Sequence, residues 1–425
     1  MSRRLDSMIM LVALALAGCA PPAGGSLADV QLFIEDEVIL APASARLNAH
    51  NVVRGPDGAI WLNTGEPDPG LFRSTDQGRT WETIAVKLSD VPPGQHLGGF
   101  HAARDGSLWL VHQAAPYRIV DGESIESTDR RGFFSISTDG GQTWETRELD
   151  QARFAPDPEA DPYTSIDIAW CHPNFVERPD GSAFYSISMR YDDWEDYSQA
   201  DQTRPGVRDV MVRTRDGGRT WGDPTIVHQH ATETAYAVDP NDPDHIFAAT
   251  RIQRKGLPGE DLQAIRKLTA MDMTPPNYMP DWAYKNGILL ESTDGGRSFR
   301  EVPGGLFGFG SYRWSAIWTE EDWLILASTA GQDPGQRKSP GDQVLRISLN
   351  GGKTWLDGTE KGTSTAAKAK KFMVVPGYRD VGKADHYSAS VPATIQIAEN
   401  RFLTFCTYKK DRILRGRFWR LENLP

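Results

Sequence analysis

One eight-residue pattern, Ser/Thr-x-Asp/Asn-x-Gly-x-Thr/Ser-Trp/Phe, occurs five times in the chain, and this repetition restricts the fold more than any other feature. The copies run from Ser74 to Trp81, Ser137 to Trp144, Thr214 to Trp221, Ser292 to Phe299 and Ser348 to Trp355. Local chemistry makes each copy a hairpin. The Asp or Asn side chain accepts hydrogen bonds from amides just downstream, the Gly supplies a positive φ, and the aromatic returns the chain to a core. The closing aromatics are 63, 77, 78 and 56 residues apart, so each interval holds one supersecondary unit and loops absorb the differences.

The flanking sequence follows a shared order. A turn such as Pro56-Asp57-Gly58 precedes a strand (Ala59 to Leu62), a loop follows, and a further strand leads into the box. The order returns at Asp105 to Val111 before Phe133 to Ser137, at Asp180 to Ser186 before Val210 to Arg213, and at Trp323 to Ala327 before Val344 to Ile347. Repeating four-stranded antiparallel units of this size are the blades of a β-propeller. Thirteen Trp, 40 Gly and 28 Pro fit many short strands and tight turns better than helices. The expected fold is therefore all-β, a six-bladed propeller with one blade lacking a box, and seven blades as the alternative. Val30 to Leu40 reads as a strand that pairs with the C-terminal end to close the ring. Three segments interrupt the order: the acidic-aromatic 190–197, the long polar 254–287 and the basic 361–371.

The N-terminus points elsewhere. A basic start at Arg3-Arg4 and an apolar run from Met8 to Ala17 end in Leu16-Ala17-Gly18-Cys19, which resembles the lipobox of bacterial lipoproteins. The resemblance implies a signal peptide over 1–19, Cys19 as the lipid anchor, a tether over 20–29 and a single propeller domain over 30–425. It places the protein in the cell envelope, held to the outer membrane or cell surface by its lipid. Cys171 and Cys406 either pair there or stay as buried thiols. The net charge of −11 disfavours a nucleic-acid partner.

The box and its spacing resemble the bacterial sialidases and their wider BNR/Asp-box relatives, in which the box is structural and its Asp residues are not catalytic. Such a resemblance implies chemistry only through residues between the boxes, because some relatives bind or assemble without turnover. A sialidase meets a substrate with a carboxylate on its anomeric carbon. Arginines clamp that carboxylate through bidentate bonds, and its charge disfavours a carboxylate nucleophile, so a Tyr is used instead. The Tyr needs a Glu base, and a separate Asp serves as acid/base.

In family order, Arg46-Leu47-Asn48 stands where an Arg-Ile-Pro motif opens the domain, although the Pro is missing. Asp68, with Glu66 as a rival, occupies the loop that carries the acid/base. Glu233 and Arg251 follow the third box, as the family's Glu and second Arg do. Arg337, with Arg313 competing, precedes the last box, and Tyr387-Ser388 follows it. The implied site is thus Tyr387 as nucleophile, Glu233 as its base, Asp68 as acid/base and Arg46, Arg251 and Arg337 as the clamp. It would act on a glycan bearing a terminal acidic sugar, need no metal or cofactor, and work as a monomer. Two other readings keep the propeller: a uronate lyase using His101, His172 or His386 beside Tyr387, and a lipid-anchored binding or assembly protein without turnover.

Overall fold

The computed structural model describes residues 27–40, 49–65, 70–89, 91–92, 95–114, 117–120, 123–126, 131–154, 165–167, 175–190, 207–229, 231–254, 284–308, 314–329, 343–356, 364–365, 370–375, 393–408 and 413–425. Strand β1 (Gln31–Leu40) leaves the N-terminal end to complete the last of six blades. Blade 1 is β2 (Asn51–Arg54), β3 (Ile60–Asn63), β4 (Leu71–Ser74) and β5 (Glu82–Ile84). Blade 2 is β6 (Gln95–Ala102), β7 (Leu108–Ala114), β10 (Gly132–Ser137) and β11 (Glu145–Glu148), with a hairpin of β8 (Tyr117–Val120) and β9 (Glu123–Glu126) inserted. In blade 3, β12 (Ser165–Asp167) and β13 (Val176–Glu177) share the inner edge of β14 (Ala183–Arg190), followed by β15 (Val207–Thr214) and β16 (Gly222–His228).

Blade 4 is β17 (Ala231–Val238), β18 (Ile246–Arg254), β19 (Tyr284–Ser292) and β20 (Arg300–Gly308), and β24 (Ser364–Thr365) adds to its outer edge. Blade 5 is β21 (Ser315–Trp318), β22 (Leu324–Thr329), β23 (Gln343–Ser348) and β25 (Met373–Val375). Blade 6 is β26 (Ala393–Ala398), β27 (Arg401–Tyr408), β28 (Ile413–Glu422) and β1. The ring is closed by β1 lying antiparallel on β28, from Gln31 opposite Glu422 to Leu40 opposite Leu414. Charge fastens the joint: Glu35 pairs with Arg401 and Arg420, and Glu37 with Arg415 and Arg417, at 2.7–3.1 Å. The expectation of six blades holds, and so does that of closure by the first strand.

This closure explains the missing sixth box. Each box follows the third strand of its blade, and in blades 1 to 4 it is the hairpin into the fourth; in blade 6 the third and fourth strands come from opposite ends of the chain. No hairpin can join them. In the other blades the turn is built as its residues dictate. The Asp76 carboxylate accepts the amides of Arg79 and Thr80 and the Thr80 hydroxyl, while Ser74 Oγ accepts the Gly78 amide. Asp139 and Asp294 repeat these contacts, and in the fifth box Asn350 bonds the amide and hydroxyl of Thr354.

The core is distributed among the seams between blades. Six apolar clusters each join the facing surfaces of two neighbouring blades. Along β18, Phe247 and Ala249 fill the seam to blade 5, while Ile246 and Ala248 fill the seam to blade 3. Burial on both faces is why such strands read as unbroken apolar runs rather than as alternation. The boxes plug these seams. Trp81 packs edge-on against Phe405 of blade 6, and Trp221 lies 5.4 Å from Phe134 of blade 2.

Candidate active site

The antiparallel blades give the propeller two unlike faces. One carries the boxes and the short hairpins between first and second strands, such as Gly55 to Ala59, where the Gly55 amide donates to the Ala59 carbonyl at 2.8 Å. At the other, open face the inner strands begin and the second strands end. Blade 1 presents Asn51, Asn63 and Leu71 there in register, and blade 4 presents Thr232, Arg251 and Gly287. A cavity of about 300 Å³ lies along the axis between the inner strands, lined at the open end by His50, Asn51, Ser315 and Thr394.

Two of the residues expected in the site are described, and the structure brings them together on the open face. Arg251 Nη1 lies 3.0 Å from Glu233 Oε2, with both side chains largely buried at 12% and 16% exposure. Glu233 reaches this place by a backbone irregularity. Thr232 faces Arg251 and Ala235 faces Ala249, so three steps along β17 match two along β18 and one residue is extra. The bulge puts Glu233 at φ 61°, a left-handed conformation that costs a non-glycine residue about 1–2 kcal/mol. Such strain persists only where surrounding structure holds it, and it concentrates at functional sites.

The holding structure is visible. Asp209 of β15, fully buried, reaches across the seam from blade 3. Its Oδ2 accepts the Thr234 amide at 3.1 Å and the Thr234 hydroxyl at 2.6 Å, while Oδ1 accepts the Ser188 hydroxyl at 2.6 Å. Tyr236, two residues further on, is no rival nucleophile: it is buried against Phe184 and hydrogen-bonded to Ser186, and burial raises its pKa.

A second polar group sits at the open ends of blades 1 and 2. Asn51 donates to the Phe100 carbonyl at 2.7 Å, and Asn63 to that of Gly98 at 3.0 Å. The rings of His50 and His96 meet edge to face, 4.7 Å apart. The Gly65 amide donates to Asn63 Oδ1 at 2.9 Å, and the Thr64 hydroxyl to the Gly70 carbonyl at 2.9 Å. These bonds fix the two stems from which residues 66–69 depart.

Arg46, Asp68, Arg337 and Tyr387 lie outside the described residues, as do Cys19, Glu66, Cys171, His172, Arg313 and His386. Cys406 is a free, buried thiol, and burial pushes its pKa up to about 12. His101 belongs to the other face. At the turn end of β6 it contacts Glu177 at 3.1 Å and straps blade 2 to blade 3, which removes it from the open face where the lyase reading needed it. The sequence reading missed Asp209 and Thr234. Their one signal is a charged pair, Arg208-Asp209, inside an apolar strand.

The BNR/Asp-box repeat model matches residues 135–146, which span the second box. No curated protein matches the chain. Among solved structures, a Dyadobacter fermentans protein of unknown function aligns over 92% of this chain and 100% of its own, at 16% identity and TM-score 0.56. A Hadza microbial sialidase aligns over 87% of this chain and 65% of its own, at 14% identity and TM-score 0.54. The intramolecular trans-sialidase of Ruminococcus gnavus aligns over 89% and 94%, at 10% identity and TM-score 0.51. At these identities the likeness concerns the fold alone, that of a six-bladed propeller.

Proposed function

We propose that the protein is a sialidase-like retaining exo-glycosidase that cleaves a terminal acidic sugar from a glycan. The observation that carries this reading is the buried Glu233–Arg251 pair on a strained bulge at the open face. It has the residue types, and the order relative to the third box, that the chemistry asks for. The described strand ends that bracket Arg46, Asp68, Arg337 and Tyr387 in sequence also terminate at that face, at Ala49, at Gly65 and Gly70, at Thr329 and Gln343, and at Ala393.

In the proposed reaction Arg46, Arg251 and Arg337 bind the sugar carboxylate. Tyr387 attacks the anomeric carbon and passes its phenolic proton to Glu233, while Asp68 protonates the departing glycosidic oxygen. Asp68, now ionised, takes a proton from water as the water displaces Tyr387, and Glu233 returns the first proton to the phenolate. A neutral phenol activated in this way avoids driving an anionic nucleophile against the substrate carboxylate.

The test is hydrolysis of a fluorogenic α-sialoside by the wild-type protein and by Tyr387→Phe. Turnover by the wild type and its loss in the variant are expected. Turnover that survives the substitution moves the nucleophile elsewhere, and a folded wild type without turnover rejects the sialoside as substrate.

A further inference from the structure

We infer that Asp209 is a positioning residue for Glu233, setting the aim of the proposed base from the neighbouring blade; this rests on the reading of Glu233 as that base. The bulge in β17 creates a specific problem. Glu233 and Thr234 together oppose the single residue Thr250, so an amide of the ladder loses its strand partner. A buried N–H left in that state is costly and is nearly always met by another acceptor.

Here the acceptor is a carboxylate from another blade. Asp209 Oδ2 takes both the amide and the hydroxyl of Thr234, and because that hydroxyl has a single proton, Thr250 Oγ1, 2.8 Å away, is the donor in the contact between the two threonines. Asp209 is itself fixed by Ser188, its register partner on β14. Every one of these groups is buried. The chain Ser188–Asp209–Thr234–Thr250 therefore brackets Glu233 on its C-terminal side and across the ladder.

The consequence is geometric. Without Asp209, the Thr234 amide returns to the β18 ladder, the extra residue migrates, and Glu233 relaxes from φ 61° toward the extended region. A shift by one residue in a strand turns a side chain to the other face. Glu233 then loses Arg251 and its line to the open face. A carboxylate suits the task because it only accepts, and the Ser188 hydroxyl, the Thr234 amide and the Thr234 hydroxyl all donate to it. An amide is a partial substitute: its oxygen serves Thr234, and its NH2 can donate to the Ser188 hydroxyl.

The experiment compares Asp209→Leu and Asp209→Asn in the full chain, measuring kcat and KM on the α-sialoside and hydrogen exchange at the Thr234 amide. For the Leu variant, kcat should fall by about 100-fold, the scale of a misplaced catalytic group, with KM changed little and exchange at Thr234 accelerated. The Asn variant should recover most of both. If Asp209→Leu cannot be obtained folded, the Asn variant decides: Thr234 exchange faster than wild type with kcat unchanged overturns the inference. So does a folded Leu variant with wild-type kcat or wild-type exchange. A wild type that hydrolyses no acidic glycoside defeats the proposed function. The exchange arm then still determines whether Asp209 holds the bulge, and unchanged exchange overturns that as well.

Discussion

Two adjacent glycines of the third box offer a test of whether the boxes are plugs between blades or merely convenient turns. Gly217 and Gly218 both have positive φ, 68° and 81°, so replacing either by Ala imposes a similar backbone penalty of about 1–2 kcal/mol. Ala also stiffens the unfolded chain in both cases, returning about 0.4–1 kcal/mol. Their surroundings differ. A Cβ on Gly217 would meet nothing nearer than Arg219 Nη1 at 3.9 Å, whereas one on Gly218 would run into the ring of Phe134, a buried residue of blade 2. Overpacking of this kind costs about 1–3 kcal/mol, so Gly218→Ala should be less stable than Gly217→Ala by that amount. Urea unfolding followed by Trp fluorescence measures the difference as a shift in midpoint at constant m. Under conditions where both variants are folded, kcat on any substrate should match the wild type, since the boxes lie on the face away from Glu233. Equal midpoints for the two variants would refute the plug, because backbone strain alone would then account for both.

Acid should destabilise the fold in two stages. Burial holds His112 down to about 3 against an ordinary 6.5, between Gln95 and Ser135. Hydrogen bonds from Thr80 and Thr143 hold Asp76 and Asp139 at about 2 against 3.8, and those from Ser298 do the same for Asp294 in spite of its burial. Both kinds of group are depressed in the folded state, so their stabilisation is full above the unfolded value and is lost as pH falls through the window to the folded one. Tm should therefore decline from about pH 6.5 downward and more steeply below about pH 4; a flat Tm between pH 6 and 4 would contradict the His112 assignment. We also propose Cys19 as the lipid anchor. Expressed in a bacterium, the wild type should partition with the membrane fraction and Cys19→Ser should not, and a Ser variant that stays with the membrane would dismiss the anchor.

The repeat was legible because its physics is local. Ser, Asp and Gly at fixed offsets settle their own hydrogen bonds, so the box reads the same at Asp76, Asp139, Asp216 and Asp294 whatever surrounds it. Glu233 and Arg251 stood out in the sequence for a different reason, their order after the third box, which resembles that of the sialidases; their ion pair is a finding of the structure. The bulge beneath them was not legible. Whether β17 has one residue too many is a relation between two strands, and no pattern within Ala231 to Val238 announces it. Asp209 was hidden for the same reason. Its partners Ser188 and Thr234 are 21 and 25 residues away in sequence, and they meet it only once blades 3 and 4 are side by side.

The uneven spacing of the boxes now has a physical source. Hairpins on the turn face are short and nearly uniform, with Gly55–Ala59, Ala103–Ser107 and Arg178–Ser182 closing the same pair of backbone bonds. The differences in length fall instead in connections between second and third strands, such as residues 115–131 in blade 2 against 255–283 in blade 4, and in those between blades, such as 85–94 before blade 2 against 149–164 before blade 3. Both kinds of connection begin and end at the open face. One face of this propeller is therefore constrained by repeated hydrogen bonding and seam packing, and the other is free to vary. Loops on a rigid scaffold are where chemistry is most readily placed. Glu233 and Arg251 lie toward that face within strands rather than on loops, as the third residue of β17 and three residues before the end of β18, and β17 is bent there by a bulge clamped from the next blade.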